Sequence, residues 1–185
     1  RSEFTYARTY FEEQCRALKV AIECGVEATA ERVLAFEPDA VVVATGARPK
    51  LITIPGAPCV YSVWDALLEP ERLGRHVAFI EADGNWQSVA TAEHLADLGK
   101  QVTVITAGAG YGARITIYSM LAVRHRFREK KIRVMALRAA RAMEGSALVL
   151  EDLSTGEPER LEGVDSVVAA AGGVAEDRLS RELRG

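Results

Sequence analysis

The chain has 185 residues, of which 49% are hydrophobic and 26% charged, with a formal net charge of −3. A chain of this length buries roughly 70% of the surface its unfolded form exposes, so a core needs neither disulfides nor a metal. The basic residues are dispersed, which argues against a nucleic-acid partner, and the apolar runs are far shorter than the roughly 20 residues of a membrane span, which argues against a membrane one.

No basic-then-apolar leader opens the chain, and a soluble, cytoplasmic protein is expected. The first residue is Arg1 rather than Met, and helical spacing begins almost at once, as expected of a piece of a longer polypeptide. Cys15, Cys24 and Cys59 are odd in number and lack C-x-x-C spacing, so they are expected to be free thiols rather than disulfides or cluster ligands.

In chain order, Phe4, Tyr10, Phe11 and Leu18 mark a helix over 4–18, and the short apolar run 20–24, broken by Gly25, reads as a strand. Residues 28–36 fit a short helix or part of a hairpin. The run Ala40-Val41-Val42-Val43-Ala44 after Pro38-Asp39 has the composition of a buried strand, ended by Thr45-Gly46. Pro49, Pro55 and Gly56 favour an extended linker over 47–56, and a boundary is placed there. Beyond it, strand 76–80, helix 89–98 closed by Gly99, and strand 101–106 form a βαβ unit. A helix over 115–130 and a strand over 132–136 continue the alternation that a parallel sheet requires.

The tail then changes character. Segments 139–144, 147–152 and 158–162, separated by Gly145 and Ser154-Thr155-Gly156, predict a β-meander, and 164–171 is again an apolar strand that echoes 39–46. Asp177, Arg178, Arg181, Glu182 and Arg184 predict a mixed-charge terminal helix with a solvated face. The fold class is therefore α/β: a three-layer, Rossmann-like parallel sheet with a β-meander, plus part of a second dinucleotide-type fold.

The first βαβ turn is where such a fold seats a pyrophosphate, because glycines let the backbone approach it and the helix N-terminus faces its charge. Here the turn reads Glu81-Ala82-Asp83-Gly84-Asn85-Trp86-Gln87-Ser88, and only Gly84 remains of the expected glycines. Glu81 and Asp83 would place carboxylates near the phosphate oxygens, and two unit charges about 4 Å apart repel by about 4 kcal/mol at an intermediate dielectric before screening. Tight NAD(P)H binding is disfavoured on these grounds. Two readings of the turn stay open: a structural one, with Asp83 or Asn85 capping the helix and Trp86 packed under the sheet, and an altered nucleotide site, taking an ADP moiety alone. Thr106 stands where an acidic residue would bind ribose hydroxyls. The run Gly108-Ala109-Gly110-Tyr111-Gly112 follows the second strand, not the first, and reads as a flexible loop, with Arg114 at its end facing solvent or a phosphate. His76, His94 and His125 are far apart, and no nucleophile–base pair stands out.

Ala44-Thr45-Gly46-Ala47-Arg48-Pro49 followed by Ile54-Pro55-Gly56 resembles the "ATGxxP…IPG" run of the flavoprotein disulfide reductase superfamily. With Tyr61-Ser62-Val63-Trp64-Asp65-Ala66-Leu67-Leu68, His76-Val77-Ala78-Phe79-Ile80 and Thr91-Ala92-Glu93-His94-Leu95-Ala96, the chain is similar to the C-terminal part of the 2,4-dienoyl-CoA reductase and trimethylamine dehydrogenase group, relatives of old yellow enzyme.

That resemblance implies three segments: 1–56 as the latter part of an FAD-type fold, 57–162 as an NAD(P)-type fold, and 163–185 as the return strand and helix of the first. It implies a parent NADH:flavin oxidoreductase with an FMN barrel and an iron–sulfur cluster, FAD, and NAD(P)H or ADP as cofactors, and the barrel domain as the chief partner. It also implies that Ala44, Thr45 and Gly46 approach the flavin's adenosine half, whereas Asp83, Gly84, Asn85 and Thr106 border the second nucleotide. No catalytic residue is expected on this segment, which should be inactive alone. The alternatives are a working NAD(P)H domain that delivers hydride to flavin and a non-catalytic scaffold.

Overall fold

The computed structural model describes residues 3–184. In chain order the elements are α1 (Glu3–Ala17), α2 (Ala30–Leu34), β1 (Ala47–Pro49), β2 (Val60–Ser62), α3 (Val63–Leu68), a 3-10 turn (Pro70–Arg72), β3 (His76–Glu81), α4 (Trp86–Asp97), β4 (Gln101–Thr106), α5 (Ile117–Glu129), β5 (Arg133–Ala136), β6 (Arg138–Glu144), β7 (Ala147–Asp152), β8 (Pro158–Leu161), β9 (Ser166–Ala170), β10 (Gly173–Ala175) and α6 (Arg178–Glu182). The chain divides into two units: one runs up to Thr45 and resumes at Asp177, and the other is Gly46–Glu176.

The first unit holds α1, α2 and α6. Thr29 caps α2, its hydroxyl accepting from the Arg32 N–H at 3.3 Å, and Arg32 pairs with Glu23 at 2.7 Å. The strands expected over 20–24 and 40–44 do not form. Both stretches lack regular structure, and Val42 is 92% exposed. The reason is physical: a run of β-branched residues has a strand's composition, but a strand exists only where a neighbour takes its N–H and C=O groups, and among the described residues these runs have no such neighbour.

The second unit is built on a five-stranded parallel sheet in the order β2-β9-β3-β4-β5. Strand side chains alternate between its faces. Val77, Phe79 and Val104 join Val89, Leu95, Val123 and Phe127 of α4 and α5 in one core, while Ala78 and Ile105 join Leu148, Leu150 and Leu161 of the β6-β7-β8 meander in the other. Sheet, helices and meander are thus the three expected layers, and both sheet faces are covered, as an all-parallel sheet requires.

Three further features complete this unit. The linker 47–56 contributes β1, which pairs antiparallel with β10. Strand β9 lies between β2 and β3 in the central sheet, and the unit that holds this sheet runs on to Glu176. Helix α3 follows β2 directly, started by a reciprocal cap: the Ser62 hydroxyl accepts from the Asp65 N–H at 3.2 Å, and the Asp65 carboxylate accepts from the Ser62 N–H at 2.7 Å. The hydrogen bonds from the Ser62 hydroxyl and N–H hold the Asp65 carboxyl below the ordinary aspartate range.

The Ile54-Pro55-Gly56 run has a packing role. Ile54 is in the core, the Pro55 carbonyl accepts from the Met143 N–H at 2.7 Å, and a Cβ on Gly56, whose φ is +78°, would lie 2.1 Å from the Met143 oxygen. Only glycine lets the linker approach β6 this closely.

Candidate functional site

A crevice of about 250 Å³ opens at the carboxyl ends of β3 and β4, lined by residues 81–84 at the end of β3 and by Thr106, Ala107, Gly108, Gly110, Ala113 and Arg114 at and after the end of β4. The geometry is what an open parallel sheet offers to ligands: two strand ends, a crossover helix, and that helix's N-terminus directed at the cleft. Asp83, Gly84 and Thr106 are brought together here. Asn85 sits at the N-cap of α4 but its side chain makes no cap hydrogen bond. Ala44 and Thr45 belong to the first unit, and Gly46, exposed with φ +74° and open space where a Cβ would stand, begins the second.

The two acidic residues of the turn behave differently. Glu81 is engaged within the protein: it is 4% exposed, and its Oε1 accepts from the Gly112 N–H at 3.2 Å and lies 3.5 Å from the Ser88 hydroxyl. Asp83 stays at the crevice, half-buried, and its Oδ1 accepts from the Asn85 N–H at 3.2 Å. A carboxylate there is itself an anion at a helix N-terminus, where the dipole favours one. Trp86 does not pack under the sheet, being 43% exposed. Trp86 and Gln87 lie at the exposed start of α4, whose first buried residues are Ser88 and Val89.

Sequence reasoning undervalued the loop after β4. Far from loose, it is tied at several points: the Arg114 N–H donates to the Gly84 carbonyl at 2.8 Å, Tyr111 stacks on Phe127 with ring centroids 4.6 Å apart, and the Gly108 N–H donates to the Thr106 hydroxyl at 3.2 Å. The Thr106 hydroxyl thus accepts from the loop and keeps its own O–H to donate. Burial raises the Tyr111 phenol above its ordinary range. Residues Gly108, Gly110, Ala113 and Arg114 thus join the candidate site, and the available signal was their position directly after the second strand.

His76 is structural: its buried ring lies between the Gly163 carbonyl and the Thr103 hydroxyl, each 3.0 Å away. Among the described residues, no cluster of His, Cys, Asp and Glu could hold a metal, and no helix is long and apolar enough to cross a membrane. The described cysteines are free.

Residues 7–184 match the family model described as pyridine nucleotide-disulphide oxidoreductase. The chain belongs to that family. Its relatives fall in the dienoyl-CoA reductase and trimethylamine dehydrogenase-like group to which the sequence motifs point. They include cinnamate reductase of Clostridium sporogenes, 29% identical over 180 residues that cover 95% of this chain and 26% of that protein. Bilirubin reductase of Mediterraneibacter gnavus is 36% identical over 107 residues, 57% of this chain and 16% of the other. Among solved structures, a 2-naphthoyl-CoA reductase complex superposes with a TM-score of 0.85 at 30% identity, covering 97% of this chain and 27% of that one. Histamine dehydrogenase from Rhizobium sp. 4-9, at 24% identity and a TM-score of 0.76, covers 86% and 26% and shares the fold. The chain spans about a quarter of the length of the first of these reductases.

Proposed function

We propose that this pyridine nucleotide-disulphide oxidoreductase domain is the nucleotide-binding part of a larger NADH:flavin oxidoreductase, and that its β3–β4 crevice takes the ADP portion of a nucleotide. The observation that carries the reading is the crevice itself, at the carboxyl ends of adjacent parallel strands with the α4 N-terminus behind it. The diphosphate would lie against Gly84 and the first turn of α4, Gly108 and Gly110 would allow close approach, Arg114 would supply positive charge, and the ribose would sit at the end of β4 beside Thr106. Asp83 opposes the phosphates, so affinity is modest.

Ala44, Thr45 and Gly46 would approach the adenosine half of FAD in the whole protein, where a barrel domain with FMN and an iron–sulfur cluster would complete the redox chain. Bound flavin and nicotinamide supply electron transfer; the residues of this chain bind and orient them. Alone, the domain is expected to bind nucleotide without turnover.

A second reading, a working NAD(P)H domain that passes hydride to flavin, is favoured by one observation: the Glu81 carboxylate is buried and already accepts from the Gly112 N–H, so one of the turn's two acids has its own partner within the protein. Calorimetry separates the two. Similar, weak affinities for ADP and NADH support the first, NADH binding about tenfold tighter than ADP supports the second, and no binding of either leaves a scaffold.

A further inference from the structure

Glu81 is the last residue of β3 and, with Glu93, one of two buried carboxylates among the described residues, yet nothing about a Rossmann-like sheet requires an acid there. Its Oε1 takes the Gly112 N–H at 3.2 Å, in the middle of the loop that forms the far wall of the nucleotide crevice. The Ser88 hydroxyl lies 3.5 Å from the same oxygen but is 2.7 Å from the Asn85 carbonyl, so Gly112 is the principal partner.

The loop is shaped to accept this tie. Gly112 has φ +66°, and a Cβ there would meet the Met120 sulfur at 2.7 Å. On one side of Gly112 the Tyr111–Phe127 stack holds the loop to α5; on the other the Arg114 N–H reaches the Gly84 carbonyl. Further back, the Gly108 carbonyl accepts from the Leu137 N–H at 3.0 Å. These other ties join neutral groups, whereas the Gly112 N–H meets a buried carboxylate side chain from the neighbouring strand end.

We infer that Glu81 is a positioning residue that anchors the glycine-rich loop from beneath, and so sets Gly108, Gly110 and Arg114 against the nucleotide crevice. The inference rests on the nucleotide reading for its consequence, but not for the anchoring. The acid that the turn carries in place of a glycine thereby supports the opposite wall.

Amide exchange tests the anchoring without any nucleotide. In the wild-type protein Gly112 must exchange more slowly than Gly110; equal rates would overturn the inference. Glu81→Leu should raise Gly112 exchange by about tenfold or more, as expected for loss of a hydrogen bond to a charged group, with β3 and β4 amides still protected. Glu81→Gln keeps an acceptor oxygen and should restore protection, and ADP titration should show weaker binding in the Leu variant alone. Unchanged Gly112 exchange in Glu81→Leu would overturn the anchoring. Intact anchoring in a wild-type protein that binds no ADP would count against the nucleotide reading instead.

Discussion

Asp83 should be the residue that limits nucleotide affinity, and Asp83→Asn should relieve that limit. Its Oδ1 accepts the Asn85 N–H at 3.2 Å, so a phosphate oxygen seeking the same amide would come within about 4 Å of the carboxylate. Two unit charges at that separation repel by about 4 kcal/mol at an effective dielectric near 20. Asp83 is half-buried rather than enclosed, and solvent and salt reduce the repulsion to about 1.5–2 kcal/mol. That corresponds to a gain in ADP affinity of roughly 10- to 30-fold. Asparagine keeps the acceptor oxygen and hence the turn, so the substitution isolates charge. The assay is calorimetric titration of both proteins with ADP at roughly 0.05 and 0.5 M salt; the advantage of the variant should shrink at the higher value, because the term it removes is electrostatic. Equal ADP affinity of variant and wild type at low salt would refute the reasoning and place the diphosphate elsewhere.

Other substitutions test the scaffold that presents the crevice. Gly56→Ala would force a Cβ to within 2.1 Å of the Met143 oxygen at a positive φ, and a loss of about 2 kcal/mol or more is expected in chemical denaturation. Ser62→Ala removes the cap of α3 and should cost about 1 kcal/mol at neutral pH. Because hydrogen bonds from Ser62 lower the Asp65 pKa in the folded protein, the part of this contribution carried by the Asp65 carboxylate is fully present above the ordinary aspartate pKa of about 3.9 and is lost as pH falls through the lowered value; the gap between the two proteins should therefore narrow in strong acid to what the Ser62 hydroxyl contributes by accepting the Asp65 N–H. Arg126 pairs with buried Glu93 at 2.6 Å, tying α5 to α4. Arg126→Met should destabilise by about 2 kcal/mol, reduced from the fully buried case because Arg126 is partly exposed, and a double-mutant cycle with Glu93→Gln should recover much of that loss.

The central sheet was legible because strand periodicity carries its own evidence. Val77 and Phe79 alternate with Ala78, and each set meets a different layer, so the sequence around 76–106 contains both the strand and the reason for it. Residues 20–24 and 40–44 were misread because composition reports a strand's side chains but not the neighbour that completes its hydrogen bonds. The β1–β10 pair was missed for the converse reason: Pro49 and Gly173 signal a linker, while their pairing partner lies more than 120 residues away in sequence.

At the candidate site, Asp83, Gly84 and Thr106 could be located from the strand–turn–helix order alone. The direction of Glu81 could not, because a residue at a strand end can turn toward the cleft or beneath it, and its partner Gly112 sits 31 positions on. The same blindness made the glycine-rich loop read as flexible. Glycines mark freedom in the unfolded chain, but here Gly112 buys a close approach to Met120 that a side chain would block.

The most direct test is a crystal of the protein grown with saturating ADP. The account predicts diphosphate density in the crevice bordered by Gly84, Gly108 and Arg114, with occupancy rising in Asp83→Asn. Density confined to another surface in both proteins, or none at all in the variant, would contradict it.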